Sequence, residues 1–580
     1  MERERKRQKI VKKKKSSLSF VLFGSTGDLS RKKLFPALAN LIERFEANVT
    51  IYALGRKPME VSKLLEKQCV NVKDKEKCER EIFPRVKYIR NSCSDPEDFK
   101  KLQDVLPKDS DRIFFLALPP SLFGKVTTMI SQYCKAKEPY FTRVILEKPF
   151  GYDTESFQKL NRETSLAFEE KQLYRIDHYL GKEVIQNMIT LRFMNSIFEP
   201  IWSSKHIESV HIQWKENLTL EGRGVRTFFL SLNEFAKTPT NKIDNVITQG
   251  YFDKSGIVRD VMQNHLLQVL ALMTMEKPKQ GLQGVVNAKN EVLKCVKTLH
   301  PSDVVHGQLK GYVDDPDVPN DSLTSTYCMA HLCIENKRWK DCKFLMSAGK
   351  GLDERLCEIR IRFRTIVPLL GCEADLSQNE LVIRIQPDPS IYFKIVTKQP
   401  GLELRPVSTT LDLTYRDQFA DIEFSDAYEL CLLRCVRGDR SVFVGSEELV
   451  QAWRIFTPIL ESKSQPEIYE YGSNATMSAR KMAFRVLGFH LLPPWNEFVC
   501  SRTRNTDDLR ALFQEFDKDN SGFITVKEFS RVVRSKFYDN REPPKALIEK
   551  YMRRFDSNGD GKISFQEFYE CTHGLCCSSK

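Results

Sequence analysis

Long apolar runs are absent from this chain of 580 residues. No apolar segment reaches the ~18 residues that a helix needs to cross a bilayer, and the N-terminus lacks the apolar stretch of a secretory signal. These absences argue against a protein that works inside a membrane or outside the cell. We therefore expect no membrane span and a cytoplasmic location.

CxxC pairs are also absent, although the chain holds 16 cysteines. Scattered thiols in an intracellular protein are typically reduced, which argues against a fold held together by disulfides. The hydrophobic fraction of 41% and the charged fraction of 29% are those of an ordinary globular protein. At roughly 100 to 200 residues per domain, the length predicts about three or four structural units.

Acidic residues are few at the N-terminus, where residues 1–15 hold nine Lys or Arg against two Glu. This surplus of seven positive charges is more than half of the formal net charge of +13. Such a run suits a nuclear or nucleic-acid address, but a solvated arm is the more common case. We predict a disordered basic tail over residues 1–17 and expect no nucleic-acid partner.

Short apolar runs alternate with helical patterns over residues 18–180. Runs rich in Val, Ile, Leu and Phe are typical of parallel strands that are buried on both faces. The predicted strands are Ser19–Phe23, Val49–Leu54, Arg112–Leu118 and Arg143–Leu146. Strands that alternate with helices form doubly wound α/β domains, so we predict a Rossmann-like nucleotide-binding domain here.

The pattern changes over residues 181–498, where helical segments no longer alternate regularly with strands. The predicted helices are Ile185–Asn195 and Val261–Met275, and the predicted strands are Ser209–Trp214, Thr326–Ile334, Glu358–Phe363 and Glu380–Ile385. This mixture is typical of α+β domains. We predict an α+β domain with a large antiparallel sheet for substrate binding and oligomerisation.

Residues 506–575 carry two copies of a calcium-loop pattern. An EF-hand loop places oxygen ligands at positions 1, 3, 5, 7 and 12, has glycine at position 6 and lies between amphipathic helices. Both copies fit, so we predict an all-α EF-hand pair that binds Ca²⁺; a solvated acidic turn is the alternative for each loop. The expected ligands are Asp517, Asp519, Ser521, Phe523 and Glu528 in the first loop, and Asp556, Asn558, Asp560, Lys562 and Glu567 in the second.

A glycine turn follows the first predicted strand. Without a Cβ at Gly24 and Gly27, backbone amides and a helix N-terminus can approach a pyrophosphate. A tight turn without a ligand is equally compatible with this sequence, since the three-glycine fingerprint of dinucleotide sites is incomplete. The residues expected to bind the cofactor here are Gly24, Ser25, Thr26, Gly27, Asp28 and Leu29.

Arg56 follows the second predicted strand, at the place where an acidic residue would bind the ribose hydroxyl of NAD. A guanidinium there suits the 2′-phosphate of NADP, because it donates two charge-assisted hydrogen bonds. The alternative is an exposed arginine at a strand end. We expect NADP as the cofactor.

Two further runs, Arg175–Glu183 and Asp260–His265, combine basic residues with histidines. Lys148 follows the apolar run Val144–Leu146, which places it at the carboxyl edge of the predicted sheet, where α/β proteins bind ligands. A phosphate dianion needs cations and neutral donors, and a histidine with a pKa of ~6.5 can remove a proton near neutral pH. These residues are able to hold a phosphorylated sugar and deprotonate it.

These motifs resemble the glucose-6-phosphate dehydrogenase family. The resemblance extends from about Leu18 to Phe498 and includes the runs Arg192–Trp202, Leu411–Tyr415 and Ala452–Pro458. It implies NADP-dependent oxidation of D-glucose 6-phosphate to 6-phosphoglucono-1,5-lactone, the first step of the oxidative pentose phosphate pathway. It also implies a homodimer or a homotetramer.

The resemblance implies roles for single residues. His265 matches the base that takes the proton of the C1 hydroxyl, Asp177 matches the carboxylate that orients this base, and Lys148 matches a contact to both cofactor and substrate. Further matches to substrate-binding positions are His178, Tyr179, Lys182, Glu216, Asp260, Lys350, Arg355 and Gln386. Eukaryotic members bind a second, structural NADP, and the matching positions are Arg360, Arg384, Tyr392, Lys394 and Asp412, whereas Leu356 replaces a lysine.

Residues 225–249 interrupt the family pattern between Glu216 and Asp260. A surface loop of this length would cost less than ~2 kcal/mol, because closure entropy grows only with the logarithm of length. The apolar stretch Phe228–Leu232 is unusual for such a loop. A tolerated insertion and a translated intron both remain open.

The chain therefore has interpretations from different classes. The first is a calcium-binding NADP dehydrogenase of glucose 6-phosphate. The second is a calcium sensor or adaptor built on a catalytically inactive dehydrogenase body; the presence of Lys148, Asp177, His178 and His265 argues against it. A related sugar oxidoreductase of another family is the third, and the run His178–Lys182 argues against that one.

Overall fold

The computed structural model describes most of the chain. The described residues are 16–72, 74–217, 251–316, 318–365, 379–402, 406–422, 424–462, 464–487, 506–537, 548–549, 552, 555–556 and 558–576. They fall into two compact units, one made of residues 1–366, 378–395 and 409–479, and the other of residues 367–377, 396–408 and 480–580. The predicted insertion 225–249 and nearly all of the predicted tail 1–17 lie outside the described residues.

The first sheet has seven strands. Six of them are β1 (Ser16–Phe23), β2 (Ala47–Gly55), β3 (Val86–Arg90), β4 (Asp111–Leu116), β5 (Thr142–Leu146) and β6 (Leu173–Ile176). The order is β6, β5, β4, β1, β2, β3, and these pairs are parallel, while the short strand Phe443–Val444 pairs antiparallel with β6. The predicted doubly wound domain is confirmed.

Helices and tight turns connect these strands. The helices are Phe35–Leu41, Val61–Gln68, Lys75–Glu81, Pro96–Val105, Phe123–Tyr133 and Thr154–Ala167. Aspartates begin several of them: Asp95 accepts from the amide of Glu97, and Asp153 forms a capping box with Ser156. Because parallel strands all end at one edge of the sheet, the turns after β1, β2, β5 and β6 meet there.

The second sheet has nine strands. Eight of them are β7 (Ile207–Lys215), β8 (Val304–Leu309), β9 (Tyr327–Leu332), β10 (Lys343–Gly349), β11 (Leu356–Phe363), β12 (Glu380–Gln386), β13 (Ser390–Lys398) and β14 (Pro406–Thr414). The order is β14, β13, β12, β11, β7, β10, β9, β8, followed by the short strand Glu467–Tyr469.

This second sheet is mixed rather than purely antiparallel. β7 pairs parallel with β10, and β8 pairs parallel with Glu467–Tyr469, while β9, β11 and β12 pair antiparallel with their neighbours. A parallel pair needs a long crossover, and the chain between β7 and β10 provides one, since it contains several helices and a strand pair. The α+β class is confirmed, and the mixed pairing corrects the antiparallel prediction.

The chain between β6 and residue 487 also forms helices. They are Glu183–Met194, Phe198–Ile201, Tyr251–Ile257, Leu267–Thr274, Val285–Lys294, Tyr415–Gln418, Ala427–Arg437, Ser446–Glu461 and Met477–Leu487. A π-helix, Val258–Leu266, runs directly into Leu267–Thr274, and both are largely buried. π-helical turns are rare and are frequent at functional sites. None of the helices in the described ranges has the length and hydropathy of a membrane span.

The C-terminal residues form their own hydrophobic core. The described helices are Thr506–Phe516, Val526–Phe537 and Phe565–Cys576, and the strand Phe523–Thr525 pairs antiparallel with Lys562–Ser564. Four phenylalanines are almost fully buried in this core: Phe516, Phe529, Phe555 and Phe568. Two calcium loops joined by a short strand pair are the expected arrangement of an EF-hand pair, which is thereby confirmed.

A buried ion pair joins the helices Val285–Lys294 and Ser446–Glu461. Lys289 and Glu448 are fully buried, with 3.0 Å between Lys289 Nζ and Glu448 Oε2, and Lys289 Nζ also donates to Gln268 Oε1. Gln268 lies three residues beyond His265, so this pair helps to hold the helix that carries the histidine.

We expect Lys289→Met to lower the free energy of unfolding by about 3–5 kcal/mol, because it leaves the Glu448 carboxylate buried without a cation. Urea titration of the full chain measures this change. The double variant Lys289→Met/Glu448→Leu should recover most of the loss, since it removes the unpaired charge. A double variant as unstable as the single one would contradict the explanation.

Candidate functional site

A chain of three side chains forms at the carboxyl edge of the first sheet. Asp177 directly follows β6, Lys148 lies two residues after β5, and His265 comes from the π-helix Val258–Leu266. Asp177 Oδ1 lies 2.6 Å from His265 Nδ1, and Lys148 Nζ lies 2.9 Å from His265 Nε2. Because an ammonium can only donate, Nε2 accepts from Lys148 and Nδ1 carries the proton that His265 donates to Asp177.

The charges of the hydrogen-bonded side chains Asp177, His265 and Lys148, together with burial, keep His265 neutral. Burial lowers the pKa of His265 and Lys148 lowers it further, while Asp177 opposes both, and the result is a pKa below the usual value. Burial alone would raise the pKa of Asp177, but His265 and Lys148 bring it below its usual value. The site therefore holds an ionised carboxylate next to a neutral imidazole whose lone pair is on Nε2, where it accepts from Lys148.

Asp177 is fixed by its own backbone surroundings. Its Oδ1 also accepts from the amide of Tyr179, so the carboxylate caps the short 3₁₀ turn His178–Gly181. The Tyr179 ring stacks on the His265 ring with centroids 4.5 Å apart, and Tyr179 Oη accepts from Trp214 Nε1 at 2.8 Å. The orientation of the imidazole is thus set by a hydrogen bond at one nitrogen and by ring stacking.

Two carboxylates and a lysine lie next to the hydrogen-bonded side chains of Asp177, His265 and Lys148. Lys350 Nζ lies 2.9 Å from Glu216 Oε2 and 3.6 Å from Asp260 Oδ2, while Asp260 Oδ1 lies 3.7 Å from Lys148 Nζ. Burial would raise the pKa of Asp260, but Lys350 and Lys148 lower it below its usual value. Ionised carboxylates in such a place can accept hydrogen bonds from sugar hydroxyls.

A second group of predicted substrate residues surrounds Lys182. Burial lowers the pKa of Lys182 to about 8, and the charge of Arg355 acts in the same direction. Lys182 Nζ donates to Gln386 Oε1 and lies 4.2 Å from the centroid of the Tyr179 ring. His178 is buried, its pKa is well below the usual value because of that burial, and its Nε2 has no hydrogen-bond partner among the described residues.

Sequence reasoning missed Lys33 in this group. Its charge lowers the pKa of both His178 and Lys182, which places it near them, and its Nζ lies 2.7 Å from Asp426 Oδ2. Lys33 stands in the basic helix start that follows the glycine turn. Its position in a run of three basic residues was the available signal, but the run does not tell which of the three faces inward.

The glycine turn is shaped by the strand beside it. Gly24 has a φ of +74°, and a Cβ there would lie 2.1 Å from the carbonyl oxygen of Ala117. The side chain of Ser25 donates to the carbonyl of Leu54, and the amide of Gly27 donates to the carbonyl of Gly24. Only glycine fits at the first position, which explains the motif without a ligand.

The other predicted cofactor residues lie around this turn. Thr26 and Gly27 are exposed, Leu29 is buried, and Asp28 forms an ion pair with Lys32 at 2.7 Å. Arg56 is exposed directly after β2. An exposed turn at the carboxyl edge, with a guanidinium at the end of the next strand, fits the diphosphate and the 2′-phosphate of NADP.

The residues expected to bind a second NADP lie on the large sheet. Arg360 Nη1 donates to Glu380 Oε2 at 3.0 Å, and Lys394 Nζ lies 3.3 Å from the same oxygen. Arg384 Nε lies 3.8 Å from Glu358 Oε2. Tyr392 lies on β13 beside Arg384, and Asp412 accepts from Thr414. The predicted cations are therefore together, but two buried glutamates already balance part of their charge.

The first calcium loop brings three of its predicted carboxylate ligands together. In the first loop, one oxygen each of Asp517, Asp519 and Glu528 lie within 4.8 Å of one another, and Ser521 and Phe523 occupy positions 5 and 7. The amides of Ser521 and Gly522 donate to Asp517, and Gly522 has a φ of +84°. Carboxylate and backbone oxygens around a left-handed glycine are the donor set of Ca²⁺ sites.

The second loop repeats the backbone hydrogen bonds of the first. Asp556 accepts from the amides of Asp560 and Gly561, and Gly561 has a φ of +81°. Glu567 accepts from the amides of Asn558 and Ser564, which holds its carboxylate at the end of the loop. Lys562 occupies position 7, where the backbone carbonyl is the ligand, so its charged side chain is no obstacle.

Three family models match the chain. The NAD binding domain of glucose-6-phosphate dehydrogenase matches residues 21–187, the C-terminal domain of the same family matches residues 189–229 and 240–487, and an EF-hand domain pair matches residues 506–572. The gap in the second match lies within the predicted insertion 225–249.

Whole proteins of this family are similar over almost their full length. The chain is 38% identical to glucose-6-phosphate 1-dehydrogenase of Dictyostelium discoideum over 505 residues, which is 82% of this chain and 96% of that protein. It is 37% identical to the cytoplasmic glucose-6-phosphate 1-dehydrogenase 5 of Arabidopsis thaliana over 510 residues, 82% and 94% of the two chains.

Solved structures agree with these relatives. A glucose-6-phosphate dehydrogenase in complex with its substrate glucose-6-phosphate has 34% sequence identity and a TM-score of 0.74, with 83% of this chain and 99% of that chain covered. The enzyme from Mycobacterium avium gives 29% identity and a TM-score of 0.70, with the same coverage. The chain is thus an enzyme of the glucose-6-phosphate dehydrogenase family, and it carries an EF-hand domain pair at its C-terminal side.

Proposed function

We propose that the protein oxidises D-glucose 6-phosphate at C1 to 6-phosphoglucono-1,5-lactone with NADP, as the first step of the oxidative pentose phosphate pathway. The observation that carries this proposal is the chain Asp177, His265 and Lys148, which leaves a neutral base among cations and carboxylates. A solved relative holds glucose-6-phosphate as its substrate, which supports the same choice.

The proposed reaction breaks two bonds to hydrogen. Bound NADP supplies the hydride acceptor, which takes the hydrogen of C1 with its electron pair. His265 Nε2 takes the proton of the C1 hydroxyl as the C1–O double bond forms, and Asp177 stabilises the resulting imidazolium. Lys148 presently donates to Nε2, so substrate binding has to replace that hydrogen bond with one from the hydroxyl.

The proposed phosphate contacts centre on Lys182 and His178. Lys182 and His178 are assigned to the phosphate oxygens, because a dianion favours the charged form of Lys182 that burial disfavours and offers a partner to His178 Nε2. Glu216 and Asp260 are assigned to sugar hydroxyls, and Lys350 holds both carboxylates in place. Tyr179, Arg355 and Gln386 complete the predicted substrate set.

Calcium binding by the EF-hand pair is the second part of the proposal. The oxygen donors, the left-handed glycines and the strand pair between the loops support it. The proposed calcium binding need not involve the catalytic residues. The rival interpretation, a calcium adaptor on an inactive body, is disfavoured because the Asp177 and His265 pair is intact.

Three further expectations belong to the proposal. A second NADP on the large sheet is supported by Arg360, Arg384 and Lys394, while Leu356 and the internal ion pairs weigh against it. Self-association is supported by β14, an edge strand whose Leu411 is 58% exposed. A cytoplasmic location is supported by two plant relatives that carry this word in their names.

Replacing His265 by Asn should reduce turnover by about 10²- to 10⁴-fold, because the base acts on the proton that leaves in the transition state. Binding of glucose 6-phosphate, measured by calorimetry, should change little, since the phosphate contacts lie around Lys182. A variant that keeps more than half of the normal turnover would remove His265 from the proposed role.

Arg56→Ala should raise the Michaelis constant for NADP much more than that for NAD, because only NADP offers a 2′-phosphate to the guanidinium. Initial rates with each cofactor at saturating glucose 6-phosphate measure the ratio. Equal effects on the two cofactors would place Arg56 outside the 2′-phosphate site.

Calorimetry of the full chain should show two calcium ions bound with dissociation constants of ~10⁻⁷ to 10⁻⁵ M, the range of calcium sensors. Replacing Glu528 and Glu567 by Gln should abolish this binding, because each loop loses its bidentate ligand. A matched control is Glu570→Gln, which changes an exposed acid of the last helix outside the loop. Unchanged binding in the double variant would refute the assignment.

A further inference from the structure

A second exposed arginine lies at the cofactor edge of the first sheet. Arg90 is the last residue of β3, and its Cα is paired with that of Gly55, the last residue of β2. The amide of Asn91 donates to the carbonyl of Gly55, so the two strand ends are held together by a hydrogen bond. Arg56 directly follows Gly55. Two guanidinium groups therefore start from adjacent backbone positions.

The strand geometry shows on which side of the sheet Arg90 starts. Side chains alternate along a strand, so Arg90 and Tyr88 leave β3 on the same face. A Cβ at Gly55 would point to that face as well, since it would lie 2.3 Å from Tyr88 Oη and 3.3 Å from Thr26 Cγ2. Thr26 belongs to the glycine turn. Arg90 therefore starts on the face that the glycine turn occupies.

Both arginines are available for a ligand. Arg56 and Arg90 are exposed, and neither forms an ion pair or a side-chain hydrogen bond within the described part of the chain. The charge of Arg90 contributes to the lowered pKa of Asp98, whose carboxylate already accepts from the amide of Ser92 at 2.8 Å. The positive charge of Arg56 acts to lower the pKa of the Cys93 thiol, which burial raises. Two unpaired guanidiniums repel each other, and a shared dianion would remove that repulsion.

We propose that Arg90 is a second cation for the 2′-phosphate of NADP and that it determines cofactor selectivity together with Arg56. This inference rests on the proposed use of NADP. A phosphate with two negative charges and three outer oxygens can accept from two guanidiniums at once. Gly55 makes room for the Tyr88 hydroxyl, because a Cβ at this position would lie 2.3 Å from it.

Binding of adenosine 2′,5′-bisphosphate and of adenosine 5′-monophosphate to the full chain tests the role of Arg90 without catalysis. Arg90→Ala should weaken binding of the bisphosphate by about tenfold to a hundredfold, the loss expected for one charge-assisted hydrogen bond to a phosphate. Binding of the monophosphate should change less than about twofold, because it lacks the group that Arg90 is proposed to contact. Calorimetry measures both ligands with the same variant.

Matched variants separate a local charge effect from a general one. Lys87→Ala removes a cation from the other face of β3 and should leave the preference for the bisphosphate unchanged. Arg90→Lys should recover part of the loss, since it restores the charge but not the paired donors. Circular dichroism of each variant checks that the sheet is intact.

The outcomes distinguish this inference from the proposed function. Equal losses for both ligands would overturn it, because Arg90 would then contact the adenine or ribose and not the 2′-phosphate. An unchanged preference in Arg90→Ala would overturn it as well. If the unmodified chain does not prefer the bisphosphate at all, the use of NADP itself is wrong. Preference that depends on Arg56 alone would leave NADP in place and remove Arg90 from the site.

Discussion

The hydrogen bond between Asp177 and His265 is the interaction on which the site depends. It joins the end of β6 to a π-helix of the second domain, two elements that are 88 residues apart in the sequence. Because Lys148 donates to the other imidazole nitrogen, the pair fixes one tautomer and one ring orientation. Stacking of Tyr179 on the imidazole adds a second restraint. The proposed chemistry needs each of these elements to be in place.

Burial is what turns these contacts into a reactive site. Removal from water lowers the pKa of His265, Lys182 and His178, which favours the neutral form of all three groups. The carboxylates of Asp177 and Asp260 stay ionised because each has cations beside it. An incoming phosphate dianion reverses part of this balance. Burial disfavours the charged forms of these groups while the site is empty. It is therefore expected to favour binding of a dianion, which restores them.

The sequence predicted the elements whose pattern is local. The strands at the centre of the first sheet are continuous apolar runs, and the calcium loops have a fixed order of ligands, so both were found. β3 and β6 were missed because β3 is partly exposed at the sheet edge and β6 has only four residues. The parallel pairing of β7 with β10 was also missed, because no local pattern in the sequence indicates it. Lys33 and Arg90 acquire a role only through the register and packing of the fold.

The pH dependence of kcat/KM tests the central claim most directly, with full-length protein, glucose 6-phosphate and NADP. A base whose pKa is lowered by burial loses activity only when the pH falls below the ordinary histidine value of ~6.5, because only then does His265 Nε2 become protonated. Asp177 raises the pKa of His265, so in Asp177→Asn the residual activity should persist to still lower pH. Our account predicts this downward shift of the acid limb. A limb that stays in place or moves upward in Asp177→Asn would show that the titrating group is not His265 paired with Asp177.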